Sequence, residues 1–221
     1  NLMGDAATHL WKDTPQELIV DYQSLLPMGT NFITVDVSDM SGLPIKGARV
    51  TLINNDESLF VSKLTDESGE FTFDLSYLSN GNVTLTVTKQ DFIPHQGGFS
   101  VSDDVDAVNI DLDEISMDEI TGDNDGTVNP GETIELNLPL KNYGSSTMTN
   151  VQAQLSAESD NVEIVSGNLS YGTITPGQTV DGGSFTLIIN PAAIELEELG
   201  MKLQIEDGSG NIWFGLVPME V

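Results

Sequence analysis

The stretch NFITVDVSD, Asn31 to Asp39, is rich in Val, Ile, Thr and Phe and runs into MSGLPIKG, a turn signal carrying Gly and Pro. Runs of the same character follow as GARVTLIN, SLFVSKLTD, GEFTFDLS and GNVTLTVTK, with DESG and LSNG between them. Short strands at this spacing predict one antiparallel β-sandwich over residues 14–113, opening with ELIVDY and closing through GGFSVS and AVNIDL. The pattern restarts beyond an acidic loop as ETIELNLPLKN, MTNVQAQLSA, NVEIVSG, GSFTLIIN, MKLQIEDG and NIWFGLV, with the turn GTITPGQ among them. A second sandwich is therefore expected over residues 114–221, making the chain all-β, with two tandem antiparallel β-sandwiches. AAIELEELG, after Pro191, supports one or two helical turns at most and reads as a connector.

Length agrees with this division, because 221 residues suffice for two modest domains that each bury a core. Seven Lys+Arg stand against 35 Asp+Glu, a formal charge of -28 spread along the chain. Nucleic acid and anionic membranes need clustered cations and are excluded as partners. A uniformly acidic surface suits salty or calcium-containing surroundings, where counterions screen self-repulsion. With no cysteine there is no disulfide, thiolate metal site or cysteine nucleophile. The sequence opens on Asn1, without an initiator Met, a signal peptide or a bilayer-spanning apolar run, and reads as a piece of something larger.

The acidic loop TGDNDGTVNPGE, Thr121 to Glu132, places Asp123, Asp125, Gly126 and Glu132 at positions 3, 5, 6 and 12 of the calcium-loop pattern, with Thr121 where that pattern has Asp. A hard cation takes six to eight oxygens from a sharply turning backbone. Asp123 and Asp125 supply carboxylates, Thr127 its carbonyl, Asn129 a side-chain or water-mediated contact and Glu132 a bidentate carboxylate, while Gly126 makes the turn. Asp118 or Glu119, just upstream, takes the place of the missing first ligand. Without flanking helices the expected ion is a fixed structural calcium rather than a sensor's, and it is expected to hold the junction between the modules. Asn-Asp-Gly is also a good turn sequence in its own right. TDESGEF, Thr65 to Phe71, lacks the alternation and the distal Glu, so it is read as a hairpin turn.

The opening NLMGDAATHLWKDTPQELIV resembles the end of the catalytic domain of gingipain-like cysteine peptidases, through Asn1, Leu2, Gly4, Asp5, Thr14 and Pro15; Ala6 departs from the family's Pro. SGLPIKGARVTLIN, TDESGEFTFDL and GNVTLTVTKQDFIPHQGGFSV are similar to carboxypeptidase-regulatory-like and immunoglobulin-like modules. GDNDGTVNPGETIELNLPLKNYGSSTMTNV through YGTITPGQT resembles the following β-sandwich of secreted bacterial peptidases. The resemblance implies two immunoglobulin-like sandwiches, with residues 1–13 as the tail of an upstream catalytic domain or a linker. Leu2, Met3, Leu10 and Trp11 are too many large apolar side chains for a solvated linker. None of the family's catalytic residues carries over: there is no Cys, and His9 and His95 have no nucleophile beside them.

The implied role is that of a non-catalytic accessory region of a secreted or cell-surface bacterial peptidase, buttressing that protein's catalytic domain and spacing or presenting it. The alternative is an adhesin-like or carbohydrate-binding tandem sandwich whose partner is a cell-surface protein or glycan. Trp11, Trp213, Phe214, Tyr143 and Tyr171 lie in separate segments, and packing is the expected role of their rings.

Overall fold

The computed structural model describes residues 14–55, 57–75 and 78–221. The apolar strip at residues 1–13, including His9 and Trp11, lies outside them. The chain divides into two compact units: the first takes residues up to Leu26, Ile33–Phe73 and Asn80–Val101, and the second takes Pro27–Phe32, Asp74–Ser79 and Ser102–Val221.

The first unit is built on β1 (Ile19–Asp21), β2 (Leu25–Pro27), β3 (Phe32–Ser38), β4 (Arg49–Asn54), β5 (Phe60–Leu64), β6 (Glu70–Asp74), β7 (Gly81–Thr88) and β8 (His95–Ser102). They form a three-stranded sheet in the order β1-β3-β6 and a five-stranded sheet in the order β2-β8-β7-β4-β5. Strand alternation does the sorting. In β3, Ile33, Val35 and Val37 are buried; in β7, Val83, Leu85 and Val87 are buried while the intervening threonines face out. Each such side chain contributes about 1.5–3 kcal/mol on leaving water, so the two rows, with Val50, Leu52, Phe73 and Phe99, make a core of ordinary size.

The second unit contains β9 (Val108–Ile110), a 3₁₀ turn at Leu112–Glu114, β10 (Ser116–Thr121), β11 (Thr133–Asn137), β12 (Leu140–Asn142), β13 (Met148–Ala157), β14 (Val162–Ser166), β15 (Asn168–Ile174), β16 (Thr179–Val180), β17 (Ser184–Ile189), β18 (Met201–Glu206) and β19 (Ile212–Val217). Its sheets run β10-β11-β17-β14, β16-β12-β9 and β15-β13-β18-β19. One core joins them, with Ile134, Leu136, Phe185, Leu187, Leu203 and Ile205 at or near zero exposure. Asn142 is wholly buried within it, yet its carboxamide is matched: Nδ2 donates to Ser146 O at 2.8 Å and Ile174 O at 2.9 Å, and Oδ1 accepts from Gly144 N at 2.9 Å. The expected all-β chain of tandem sandwiches is the observed one.

Two local expectations are corrected, and a third stretch is read as expected. AVNIDL does not close the first sandwich: Val108, Asn109 and Ile110 pair with Asn142, Lys141 and Leu140, so the second unit begins before residue 114. A strand buried along its whole length reads alike in either sandwich, and only its distant partner decides. TDESGEF is not a hairpin, since β5 and β6 belong to different sheets. Its turn is made by Asp66, whose Oδ1 accepts from Ser68 N at 2.9 Å and Glu70 N at 3.1 Å as the chain crosses over. AAIELEELG forms no helix; Leu196 stands at φ 65°, and its N–H donates to Val221 O at 2.5 Å. The stretch serves as the connector expected of it.

Candidate functional site

The loop from Thr121 to Glu132 joins β10 to β11, neighbours paired through Glu119↔Ile134 and Thr121↔Thr133 with a bulge between Glu119 and Thr121. It is a hairpin connection inside the second unit. Gly126 sits at φ 82°, the left-handed region a side chain resists, and there the loop reverses.

Strand geometry separates the two upstream candidates. Met117 packs against the core, so Glu119, two residues on, lies on the same face of β10, while Asp118 lies on the opposite, exposed face. Glu119 rather than Asp118 therefore enters the loop. Its Oε2 accepts from Asn124 N at 2.6 Å and its Oε1 from Gly126 N at 2.8 Å. One oxygen each from Glu119, Asp123 and Asp125 lie within 4.8 Å of one another.

The remaining residues of the pattern are close but differently engaged. Asp125 Oδ1 accepts from the Thr127 hydroxyl at 2.5 Å and the Thr127 N–H at 2.8 Å. These bonds, the hydroxyl first, hold the Asp125 carboxyl below its ordinary value. Asn129 donates from its backbone to Glu132 Oε2 at 2.8 Å and from Nδ2 to Thr127 Oγ1 at 3.2 Å. The Thr127 carbonyl faces Asn129 Nδ2 at 3.5 Å. Glu132 is buried at 6% exposure, and its Oε1 and Glu119 Oε2 both stand where a Cβ on Gly122 would lie. The absent side chain thus leaves a cradle between two carboxylates, a feature the calcium pattern did not point to.

The donors are all oxygens, as Ca²⁺ requires, and each ionised carboxylate keeps lone pairs beyond those its N–H partners use. Asp123, Asp125 and Glu119 can close on one cation, with Glu132 behind them.

Of the other aromatic and histidine side chains singled out in the sequence, Tyr171, Trp213 and His95 pack. Tyr171 is buried and donates to Leu138 O at 2.8 Å; burial first, and the Asp181 charge second, raise its phenol well above the ordinary value. Trp213 is half-buried and its Nε1 donates to Asp106 O at 3.2 Å. His95 meets Tyr22 edge to face at 6.2 Å. Phe214 differs, being 48% exposed.

Residues 33–113 match the carboxypeptidase regulatory-like domain family. No curated protein matches the chain at a significant level. Among solved structures, Salmonella alpha-2-macroglobulin aligns at 11% identity and TM-score 0.43, covering 95% of this chain and 16% of that one. The biofilm associated protein BSP domain aligns at 13% identity and TM-score 0.33, covering 90% of this chain and 30% of that one. Invasin, a bacterial integrin-binding protein, aligns at 13% identity and TM-score 0.30, covering 91% and 39%. The chain thus spans well under half the length of each. No helix among the described residues is long and apolar enough to cross a membrane.

Proposed function

We propose that this chain is a non-catalytic region of a secreted or cell-surface bacterial peptidase of the gingipain-like kind, a pair of sandwiches that buttresses the catalytic domain of the same polypeptide and spaces or presents it. The carboxypeptidase regulatory-like match over residues 33–113 supports the accessory role, and the peptidase assignment rests on the resemblance of Asn1, Leu2, Gly4 and Asp5, 28 residues and more upstream of it. The chain has no thiol to activate, so the chemistry of a cysteine peptidase must come from another part of the protein. Deleting residues 1–13 from the full-length parent should lower its melting temperature and activity together, with Trp11→Ala giving part of the loss. A parent that tolerates the deletion unchanged would refute this role.

Calcium is proposed as the structural ligand of the second unit, held by Glu119, Asp123 and Asp125 with Glu132 and the Thr127 and Asn129 groups in support. Extracellular sites of this type bind with dissociation constants of about 10⁻⁴ to 10⁻³ M. At roughly a hundredfold saturation, binding to the folded state alone adds about 2.7 kcal/mol. Calorimetry in calcium and then in chelator should show the second unit melting lower without the ion; identical transitions in both would refute the site.

A further inference from the structure

One row of side chains crosses the solvent face of the β15-β13-β18-β19 sheet without interruption. The register aligns Asn168 with Gln154, Gln154 with Gln204, and Gln204 with Phe214. Alternation puts all four on one face, since their neighbours Ala153, Leu155, Leu203 and Ile205 are buried. Three strand spacings of about 4.8 Å make the row roughly 14 Å long. It ends on Phe214, 48% exposed on an edge strand.

The amides are free to bind. Among the described residues, none of the three makes a side-chain hydrogen bond, whereas the hydroxyls on the outer face of the first unit satisfy one another, as Thr51 and Ser62 do at 3.0 Å. The row is also uncharged in a chain of net charge -28. Of its flanking charges, Lys202 is neutralised by Glu158 at 2.7 Å, leaving Glu206.

These features choose among occupants. A second copy would bring -28 against -28, and nucleic acid needs cations that this face lacks. A protein partner of ordinary kind needs a broad apolar centre, whereas the apolar side chains of this face, Ile212, Phe214 and Leu216, are confined to the edge strand β19. A primary amide presents two donors and an acceptor in one plane, which suits ligands whose hydroxyls do both, while a phenyl face takes apolar C–H surface.

We propose that this face binds a neutral glycan chain, with Phe214 stacking on a sugar ring and Gln204, Gln154 and Asn168 hydrogen-bonding its hydroxyls. The proposal is independent of the peptidase reading and of the calcium loop. Affinity electrophoresis of the intact chain through gels containing xylan, mannan, laminarin or hydroxyethyl cellulose, with alginate as an anionic control, tests it. At least one neutral polysaccharide should retard the protein. Phe214→Ala should weaken that affinity about tenfold, the loss typical of a truncated anchor, and Gln204→Ala should weaken it too. Phe60→Ala, at an exposed ring of the first unit, should change nothing, and all variants should melt with the parent chain. No retardation by any neutral polymer, retardation by alginate alone, or retardation that survives Phe214→Ala would overturn the proposal. So would a dimer in sedimentation that Phe214→Ala dissolves, which would assign the face to a second copy.

Discussion

Glu119 accepts the backbone N–H of Gly126 at 2.8 Å, so a carboxylate rooted in β10 closes a loop whose turning point lies seven residues further on. The strand, stapled to β11, thereby fixes where the loop's own acids stand. In calcium, Glu119→Gln should lose most of the ligand-linked rise in melting temperature, whereas Asp118→Asn, on the opposite face, should keep it. Equal losses in the two variants would remove Glu119 from the site.

Gly122→Ala probes the cradle directly. The added methyl must displace both the Glu119 carboxylate and that of the buried Glu132, and overpacking of this kind costs about 1–3 kcal/mol. Chemical denaturation should register that cost, and isothermal titration should find calcium affinity lowered as well. A variant as stable as the parent would mean that the two carboxylates are not held against Gly122.

Asn142→Ala should destabilise the second unit more than any substitution in the acidic loop. It strands the carbonyls of Ser146 and Ile174 and the N–H of Gly144 in a buried region, and each unpaired group costs about 1–3 kcal/mol. A loss below about 1 kcal/mol in urea unfolding would show that water reaches these groups.

Acid should destabilise the fold through particular carboxylates. Asp66, Asp125 and Glu197 are held below their ordinary values by hydrogen bonds from Ser68, Thr127 and Asn161 respectively. A carboxyl with a lower pKa folded than unfolded favours the folded state above its unfolded value, 3.8 for Asp and 4.5 for Glu, and that gain is lost as pH falls through the folded value. Asp66 and Asp125 are exposed and Glu197 is only half-buried, so each contribution is small. Relief of self-repulsion acts the other way between neutrality and the isoelectric point near 4.1. The melting temperature should therefore hold or rise slightly from pH 7 to about 5 and fall below about 4. A continuous rise to pH 3 would contradict this assignment.

The long strands were legible because they bury one face: Ile33, Val35 and Val37 announce their inward side by alternation alone. What periodicity lacks is the address of the partner. Val108–Ile110 carries no mark that it pairs with Leu140–Asn142, and nothing between Leu64 and Glu70 says that the chain changes sheets. The loop shows the same limit at finer scale. Its acids were readable from their spacing, but choosing Glu119 over Asp118 needed the inward face of β10, which Met117 marks. The cradle at Gly122 and the amide row were beyond reach, because both are made by segments that meet only through sheet register.

The crossing at Asp66 also bears on how the first unit assembles. Since β5 and β6 do not pair, the turn between them cannot seed a hairpin; β4 pairs locally with β5 on one side but must find the distant β7 on the other, with Arg49 opposite Thr88 and Asn54 opposite Val83. Closing such distant pairings spends chain entropy before any contact returns it, so topologies of this kind fold over milliseconds to seconds. A nascent first unit leaving a ribosome or a secretion pore could therefore pair β4 with β5 early, yet its five-stranded sheet stays incomplete until both β7 and β8 have emerged.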